Sequence, residues 1–436
     1  MKRITVLIIL LIISIPHFAF SETQKLAPEK KERIVLALDQ FEKGRALAME
    51  ASFEEAQKKE AEVLAFDQGE RASRMQELLR YWHPYLEVET KYEDNIFQTA
   101  SRSSDIINTY TPGIKFESFK ENNNFQIDTG GKFTYYYHKG RNNTQNPFIS
   151  FLWDKKLGRN YFMLTENFKY DTVNNSSLYA GTSGISGYQY NTFYLKAGRE
   201  LNLFSIEPAL RRYDYFYRKD VKQSNSYNET IPTLTGYYKL APKTSLLFEY
   251  NHGIVRYPKK PTPSKDNRYE QIWFGLNGNI SPKMTGFMKG GYQFRKFNNG
   301  GNWEKPVLGF DLNYQFKERT QILLKLNKTA AQSEYVNQNY YEINRLDLGL
   351  LHDFAFNSKL NLHFSSYYEY DNYPAPIDAT LKKRLDNVYG LSSELKYDLQ
   401  RWFYVLLKYE WKENNSNIHL NSYVDHITSI KMVGTF

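Results

Sequence analysis

The chain of 436 residues contains no cysteine. This excludes disulfide frameworks, thiolate metal sites, cysteine nucleophiles and a lipidated amino-terminal cysteine. The chain also has almost no long apolar runs: after the first twenty residues, none approaches the roughly 20 apolar residues that a membrane-spanning helix needs. Multi-pass helical membrane proteins are therefore excluded, and the mean hydropathy of −0.64 agrees with this.

Aromatic side chains are abundant instead, with 36 Tyr, 29 Phe and 6 Trp, and such a composition is foreign to disordered chains. All the tyrosines lie at or after Tyr81, whereas residues 22–80 contain only Phe41, Phe53 and Phe66 as aromatics. Residues 1–80 hold 13 basic and 13 acidic side chains, so the whole net charge of +9 belongs to the rest of the chain. The composition therefore predicts a domain boundary near residue 81.

The first 21 residues have the pattern of a secretory signal peptide. Lys2 and Arg3 precede an apolar run that Pro16 breaks, and small residues at Ala19 and Ser21 suit cleavage before Glu22. A short membrane anchor is the alternative, but the run is shorter than a full span. We expect the mature chain to leave the cytoplasm.

Residues 22–80 are rich in Ala, Glu, Lys, Leu and Arg, and they carry a weak helical stripe. Ile34, Leu38 and Phe41 are spaced at three and four residues, which predicts a periplasmic helical segment, either a helical hairpin or a short coiled coil. A partner-binding helix is the alternative. Too few apolar side chains are present for a large core.

From residue 81 to 436, apolar and polar residues alternate with a period of two, which predicts β-strands with one apolar and one wet face. Soluble β-sandwiches also alternate in this way, so the lengths of the connections between strands must distinguish a sandwich from a membrane barrel. Short polar turns, such as residues 280–283 and 398–401, alternate along the chain with longer connections, such as residues 95–105, 257–267 and 372–382. Tight turns on one side and longer loops on the other are typical of outer-membrane barrels.

Eight tight turns and nine longer connections predict an all-β membrane protein, an antiparallel transmembrane barrel of about 18 strands. Sixteen strands is the alternative if the weak segment Pro147–Asp154 and its neighbour are not strands. We expect the tight turns on the periplasmic side of the outer membrane of a Gram-negative-type bacterium. Tyrosine clusters at strand ends, including Tyr213, Tyr215 and Tyr217, are expected to form aromatic girdles at the membrane interfaces.

The last strand ends at Phe436, with Ile430 and Met432 on the same face. A terminal Phe on an alternating strand resembles the signal that bacterial barrel-assembly machinery reads. We therefore expect Phe436 to act in assembly.

Barrels of 16 to 18 strands leave an aqueous channel unless they are plugged, so passage of polar solutes is the expected function. The alternation turns charged side chains of mixed sign towards the lumen. The candidate pore-lining residues are Lys408, Glu410, Lys412, Glu394, Lys396, Arg345 and Asp347.

The start of the predicted barrel resembles a known family. A strand ends in Asp94-Asn-Ile-Phe97, Ser104-Asp105 follows, and the next strand carries Pro112-Gly113. This resembles the β-barrel porin family associated with exopolysaccharide biosynthesis loci. The motif covers about 35 residues. The resemblance implies an outer-membrane location and polysaccharide export, and it supplies no catalytic residues.

No pattern in the sequence predicts catalysis, a cofactor or a metal. The eight histidines are scattered singly, and no dinucleotide, phosphate-loop or nucleophile-elbow spacing is present. Glu93, Asp94 and Asn95 could help to hold Ca²⁺, but turn formation is the favoured interpretation. An outer-membrane hydrolase is therefore the weakest functional hypothesis.

Basic residues concentrate in three predicted exterior loops, where they would face lipopolysaccharide or attract anionic solutes or acidic polysaccharide. Export to the outer membrane makes nucleic acid an improbable partner. The main alternative to a channel is a non-conducting anchor or assembly protein that presents the helical segment to envelope partners. The loops contain Lys259, Lys260, Lys265 and Arg268; Arg218, Lys219 and Lys222; and Lys382, Lys383 and Arg384.

Overall fold

A computed structural model describes residues 80–436 except 175–183, 219, 334–337 and 377–381 and the side chains of residues 220–222. The signal peptide predicted for residues 1–21 and residues 22–79 of the predicted helical segment lie outside the described residues.

The described chain forms a single sheet of 18 strands. Its helical residues are confined to three short 3₁₀ helices at 140–142, 220–225 and 419–421, and no described helix is long and apolar enough to cross a membrane. The strands are β1 (Trp82–Glu93), β2 (Asp105–Lys120), β3 (Asn123–Tyr136), β4 (Thr144–Leu157), β5 (Asn160–Asn174), β6 (Ile185–Glu200), β7 (Phe204–Tyr217), β8 (Tyr227–Ala241), β9 (Thr244–Arg256), β10 (Asn267–Ser281), β11 (Met284–Phe297), β12 (Asn302–Lys317), β13 (Thr320–Gln332), β14 (Tyr340–Asp353), β15 (Leu360–Pro376), β16 (Lys383–Gln400), β17 (Phe403–Ser416) and β18 (Tyr423–Thr435).

Each strand pairs antiparallel with the next one along the chain, and β18 pairs with β1 from Tyr85↔Thr435 to Glu93↔Ile427. The sheet is thus a closed barrel, and closure leaves no edge strand with unpaired backbone groups. The prediction of an 18-strand antiparallel barrel is confirmed. The weak segment Pro147–Asp154 lies within β4, which rules out the 16-strand alternative.

All eight predicted tight turns join consecutive strands at one end of the barrel, which we call the short-turn end. The longer connections meet at the opposite, long-loop end. Short turns at one end and longer loops at the other are the pattern of outer-membrane-type barrels.

The two faces of each strand differ as the alternation predicts. On β17, Leu407 and Tyr409 are 51% and 41% exposed and point out of the barrel, so Lys408 and Glu410 between them point into the lumen. Exposed outward aromatics lie near both ends, for example Tyr92 and Tyr135 near the long loops and Trp402 beside a short turn. These positions fit aromatic girdles.

The girdle prediction is wrong for Tyr213, Tyr215 and Tyr217. Ile206 and Leu210, at even positions of β7, are the exposed outward residues, so the odd-numbered tyrosines point into the lumen. There they pack on aromatics of neighbouring strands, with the ring of Tyr215 stacked on Tyr188 at 4.5 Å and on Tyr227 at 5.7 Å. A cluster of tyrosines in the sequence does not show which face carries it.

Four inward tyrosines each cover a glycine directly opposite on the neighbouring strand. These pairs are Tyr85–Gly113, Tyr161–Gly198, Tyr269–Gly253 and Tyr367–Gly390. A Cβ at any of these glycines would collide with the tyrosine ring. Three of the rings then reach a carboxylate on the next strand: Tyr85 donates to Asp128 (2.9 Å), Tyr161 to Glu207 (2.8 Å) and Tyr269 to Glu229 (2.7 Å). Each such tyrosine therefore bridges three strands.

Candidate functional site

The seven predicted pore-lining residues lie on the lumen face of β14, β16 and β17. Six of them line one cavity of about 380 Å³, here called the wall cavity. Glu394 lies directly opposite Lys408 in the register of β16 and β17. The six residues of the wall cavity are Arg345, Asp347, Glu394, Lys408, Glu410 and Lys412.

The seventh residue, Lys396, lies one inward position closer to the short-turn end. It lines a neighbouring cavity of about 340 Å³ together with Glu394 and His363. The structure thus places all seven side chains along one stretch of the lumen wall. Their effect on solute passage remains a prediction.

The charges of this wall occur as close pairs of opposite sign two residues apart on the same strand. The ion-pair distances are 2.7 Å for Arg345–Asp347, 2.8 Å for Lys408–Glu410 and 2.8 Å for Lys396–Asp398. Residues i and i+2 of a strand point to the same side, so this spacing brings the charges together. The pairing reduces the net field along the wall while it keeps the surface hydrophilic.

Strand β15 supplies inward residues that the sequence did not single out. Glu369 accepts a hydrogen bond from Arg345 Nη1 at 3.1 Å, and the Arg345 guanidinium lies 4.0 Å from the ring centroid of Tyr367. The guanidinium is therefore held by two carboxylates and one aromatic face. The alternation Tyr367-x-Glu369-x-Asp371 was the signal in the sequence for these residues.

The connection between β1 and β2, residues 94–104, folds into the lumen; we call it the inward loop. Asn95 is fully buried, and its Nδ2 donates to Thr99 O (2.8 Å) and Val424 O (2.9 Å). Asp94 N donates to His426 O (3.0 Å), and His426 N donates to Asp94 Oδ1 (2.7 Å). Side-chain bonds from Asp and Asn to the backbone are the usual means of building such a turn.

Gln98 lies at the tip of the inward loop with a positive φ of 50°. It donates to Asp425 Oδ2 at 3.3 Å and lines the wall cavity with Arg345 and Lys412. The sequence predicted this connection as an ordinary exterior loop, but the structure places it inside the barrel. Asp94 and Asn95 are engaged as turn residues, as the sequence favoured, and in the described residues no group of three acidic or histidine side chains could hold a metal ion.

A second cavity of about 200 Å³ lies towards the long-loop end and is here called the loop-end cavity. It shares Gln98, Arg345, Tyr367 and Lys412 with the wall cavity, so the two adjoin along one wall. Its other lining residues come from β14 to β18 and the 3₁₀ helix at 419–421. They are Tyr341, Glu369, Asp371, Tyr373, Arg384, Asp386, Val388, Asn414, Asn421 and Tyr423.

Apolar side chains also face inward near the long-loop end, on the opposite side of the barrel from β1. Trp303 and Val307 of β12 are 2% and 0% exposed and pack with Trp273 and Phe297. Tyr257 and Tyr269 form a second cluster with Val255. Tyr257 lies in the connection between β9 and β10, so part of this connection packs against the inward face of the barrel.

The three predicted basic loops differ in the structure. Lys259, Lys260 and Arg268 are exposed, whereas Lys265 is 1% exposed and donates to Ser333 O at 3.0 Å. Arg384 is also buried and donates from Nε to Asp386 Oδ2 at 2.7 Å. The expectation that these cations face outward is therefore wrong for Lys265 and Arg384, because Lys265 binds the Ser333 carbonyl and Arg384 binds Asp386. Lys219 and the side chain of Lys222 lie outside the described residues.

Phe436 lies where the barrel closes. Its backbone N donates to Pro84 O of β1 (2.8 Å), and its ring stacks on Trp402 at 6.0 Å. The side chain is 57% exposed on the outer surface. A role in assembly remains a prediction.

A family model described as "Putative beta-barrel porin 2" matches residues 81–436. A comparison with curated proteins gave no match.

Solved structures with similarity include Pseudomonas aeruginosa OpdK with vanillate (11% identity, TM-score 0.45, 81% of this chain and 99% of that chain). A BenF-like porin from Pseudomonas fluorescens Pf-5 has 11% identity and a TM-score of 0.44, over 81% and 99% of the two chains. The siderophore receptor PirA from Pseudomonas aeruginosa has 9% identity and a TM-score of 0.40, over 82% and 80%. The vanillate and siderophore in these descriptions belong to the similar proteins.

Proposed function

Because the chain belongs to the family described as "Putative beta-barrel porin 2", we propose that it is an outer-membrane channel for polar solutes and that its role is exopolysaccharide export. The observation that carries this proposal is the hydrophilic wall of β14 to β18. There the charged lining of the wall cavity continues into the loop-end cavity through four shared residues. A continuous polar wall inside a closed barrel is what passage of hydrated solutes requires.

The balance of charge on this wall supports a hydrated polar solute over a simple anion. Lys408 and Arg345 each lie within 3 Å of a carboxylate oxygen. Cations paired in this way attract a passing anion less strongly than unpaired ones would. Among the exposed basic residues, Lys259 and Lys260 remain candidates for contact with lipopolysaccharide at the cell surface.

Single-channel recording in planar bilayers tests the proposal. We expect the purified full chain to give discrete conductance steps in salt solution. Absence of steps from folded, heat-modifiable protein would overturn the channel function.

Orientation is tested separately on intact cells with a membrane-impermeant thiol reagent. We propose that the long-loop end faces outward, so Lys259→Cys should be labelled and Pro282→Cys, in a tight turn, should not. The reverse pattern would overturn the orientation.

A second candidate function is a non-conducting anchor or assembly protein that presents residues 22–80 to envelope partners. The inward loop and the buried clusters around Trp303 and Tyr269 favour it, because both reduce the open lumen. This hypothesis expects no conductance, together with envelope partners that are lost when residues 22–79 are removed.

A further inference from the structure

Four polar side chains of the loop-end cavity are more than nine-tenths buried, yet some of their polar atoms have no partner. Asp386 is 1% exposed, Asn414 5%, Asn421 6% and Asp371 7%. Within the described residues, no hydrogen-bond partner lies near Oδ1 of any of the four, or near Nδ2 of Asn421. Buried polar atoms are normally paired, so a cluster of unpaired ones around a cavity points to a ligand.

The arrangement of these atoms indicates the chemistry of that ligand. Four of the five unpaired atoms are oxygens that accept hydrogen bonds, and one is an amide nitrogen that donates. A ligand that satisfies them must be rich in donors and also carry an acceptor. Hydroxyl groups do both.

The charge of the lining disfavours an ionic ligand. Its acidic residues are Glu369, Asp371 and Asp386, and its basic residues are Arg345, Arg384 and Lys412, so the formal charge is balanced. An anion would meet two carboxylate oxygens that lack donors, and a cation would meet three basic groups. A neutral ligand avoids both repulsions.

Aromatic rings complete the lining. Tyr341 and Tyr373 stack at 4.8 Å with an interplanar angle of 8°, and Tyr367 and Tyr423 border the same cavity. Basic groups lie over three of these rings, with Arg345 over Tyr367 at 4.0 Å, Arg384 over Tyr373 at 4.8 Å and Lys412 over Tyr423 at 5.5 Å. The rings therefore offer their edges and remaining faces to the C–H groups of a sugar, whose hydroxyls can bind the polar groups beside them. Tyr, Asp and Asn around one small cavity are thus a combination that suits a sugar.

We infer that the loop-end cavity is a binding subsite for a sugar unit of a neutral saccharide. The inference rests on the proposed function and restricts the proposed substrate to neutral saccharides, so that acidic polysaccharide is excluded. The adjoining wall cavity, which shares Gln98 and Arg345 with it, provides room for the next units of a linear chain deeper in the lumen.

Isothermal titration of the full chain in detergent tests the subsite without requiring conduction. The probes are neutral hexasaccharides of glucose and mannose, and the acidic comparison is hexagalacturonate. We expect at least one neutral probe to bind at least tenfold more tightly than hexagalacturonate. Equal or tighter binding of the acidic probe, or no binding of any neutral probe, would overturn the subsite.

The variant Asn421→Leu removes both unpaired amide atoms while it keeps a side chain of similar size. It should weaken binding of the neutral probe at least tenfold, which corresponds to about 1.4 kcal/mol. Asn415→Leu is the matched control, because Asn415 is exposed on the other face of β17 and does not line the cavity. Unchanged binding in folded Asn421→Leu would contradict the proposal.

Failure of the subsite and failure of the channel function give different results. Conductance without saccharide binding would support the channel function and overturn the subsite. Saccharide binding without conductance would support the subsite and overturn the channel function.

Discussion

Lys408 and Lys412 point into the lumen from β17, next to Glu410. Replacing both lysines with Glu changes the charge at these positions from +2 to −2 and removes the partner of Glu410. We expect ion selectivity to shift several-fold towards cations at low salt, because screening acts over about 10 Å at 0.1 M. Reversal potentials across a salt gradient measure this shift.

The control for this prediction is Leu407→Lys on the outer face of the same strand. It should leave selectivity unchanged but lower barrel stability by about 2–4 kcal/mol if the residue lies near the membrane midplane. An intact conductance with no shift in the double variant would show that the two lysines do not influence permeating ions.

Gly390 offers a second test at the residue scale. A Cβ there would collide with the ring of Tyr367, which also contacts Arg345. We expect Gly390→Ala to destabilise the barrel by about 1–3 kcal/mol, the usual cost of overpacking. Guanidinium unfolding of the refolded protein provides the measurement.

Gly236→Ala is the matched control, because no atom lies within 4 Å of a Cβ at that position. Combining Gly390→Ala with Tyr367→Ala should cost less than the sum of the two single changes, because the collision is then absent. Full additivity would contradict the role of this contact.

At the scale of elements, the inward loop depends on the side chain of Asn95. Asn95→Ala removes three hydrogen bonds, two to carbonyls and one from Thr99 N, at a cost of about 2–4 kcal/mol. We expect the loop to leave the lumen and single-channel conductance to rise, because Gln98 then no longer faces Arg345.

Asn417→Ala serves as the control for the loop prediction. Asn417 makes two hydrogen bonds with the backbone of residues 383 and 385 but lines neither cavity. An equal rise in both variants would show that the inward loop does not limit passage.

The final strand is the element on which assembly should depend. Phe436→Ser removes a ring that stacks on Trp402 where β18 closes the barrel. We expect lower outer-membrane levels and more periplasmic degradation. Quantitative blots of heat-modifiable barrel in membrane fractions measure this effect.

Leu420→Ser is the control, since Leu420 is 58% exposed and Phe436 is 57% exposed, but Leu420 lies in a connecting loop. Wild-type levels of Phe436→Ser would reject the assembly role. A fall in both variants would show only that loss of exposed apolar surface is harmful.

At the scale of the whole molecule, the barrel should fold without residues 22–79. The ladder closes between β1 and β18 from Tyr85 to Thr435, so every strand has two neighbours within the described chain. A chain that starts at Arg80 is expected to refold in detergent with the heat-dependent gel shift of a barrel. If it fails while the full chain refolds, residues 22–79 are required for barrel folding.

Much of the architecture could be predicted from the sequence because period-two alternation and turn residues are local signals. Side-chain polarity alone predicts which face of the strand is occupied by Leu407, Lys408 and Tyr409. The eight short polar turns likewise marked the strand ends. For the same reason, all seven candidate pore-lining residues could be placed on one wet face, although their effect on passage is still to be measured.

Other features depended on contacts between residues distant in the sequence. Asn95 reaches Val424, and Lys265 reaches Ser333, so neither the inward loop nor the burial of that lysine has a local signature. Tyr215 could not be assigned to the lumen from its cluster, because tyrosine suits a membrane interface and a wet wall equally.

The sequence by itself therefore determined an antiparallel barrel of about 18 strands and the polar face of strands such as β17, because these follow from the side-chain period and from the lengths of the connections. Only the tertiary structure decided which loop enters the lumen, which charges pair and where buried polar atoms surround a cavity. Those features arise when barrel closure brings β1 next to β18 and stacks the inward faces of β14 to β18 side by side.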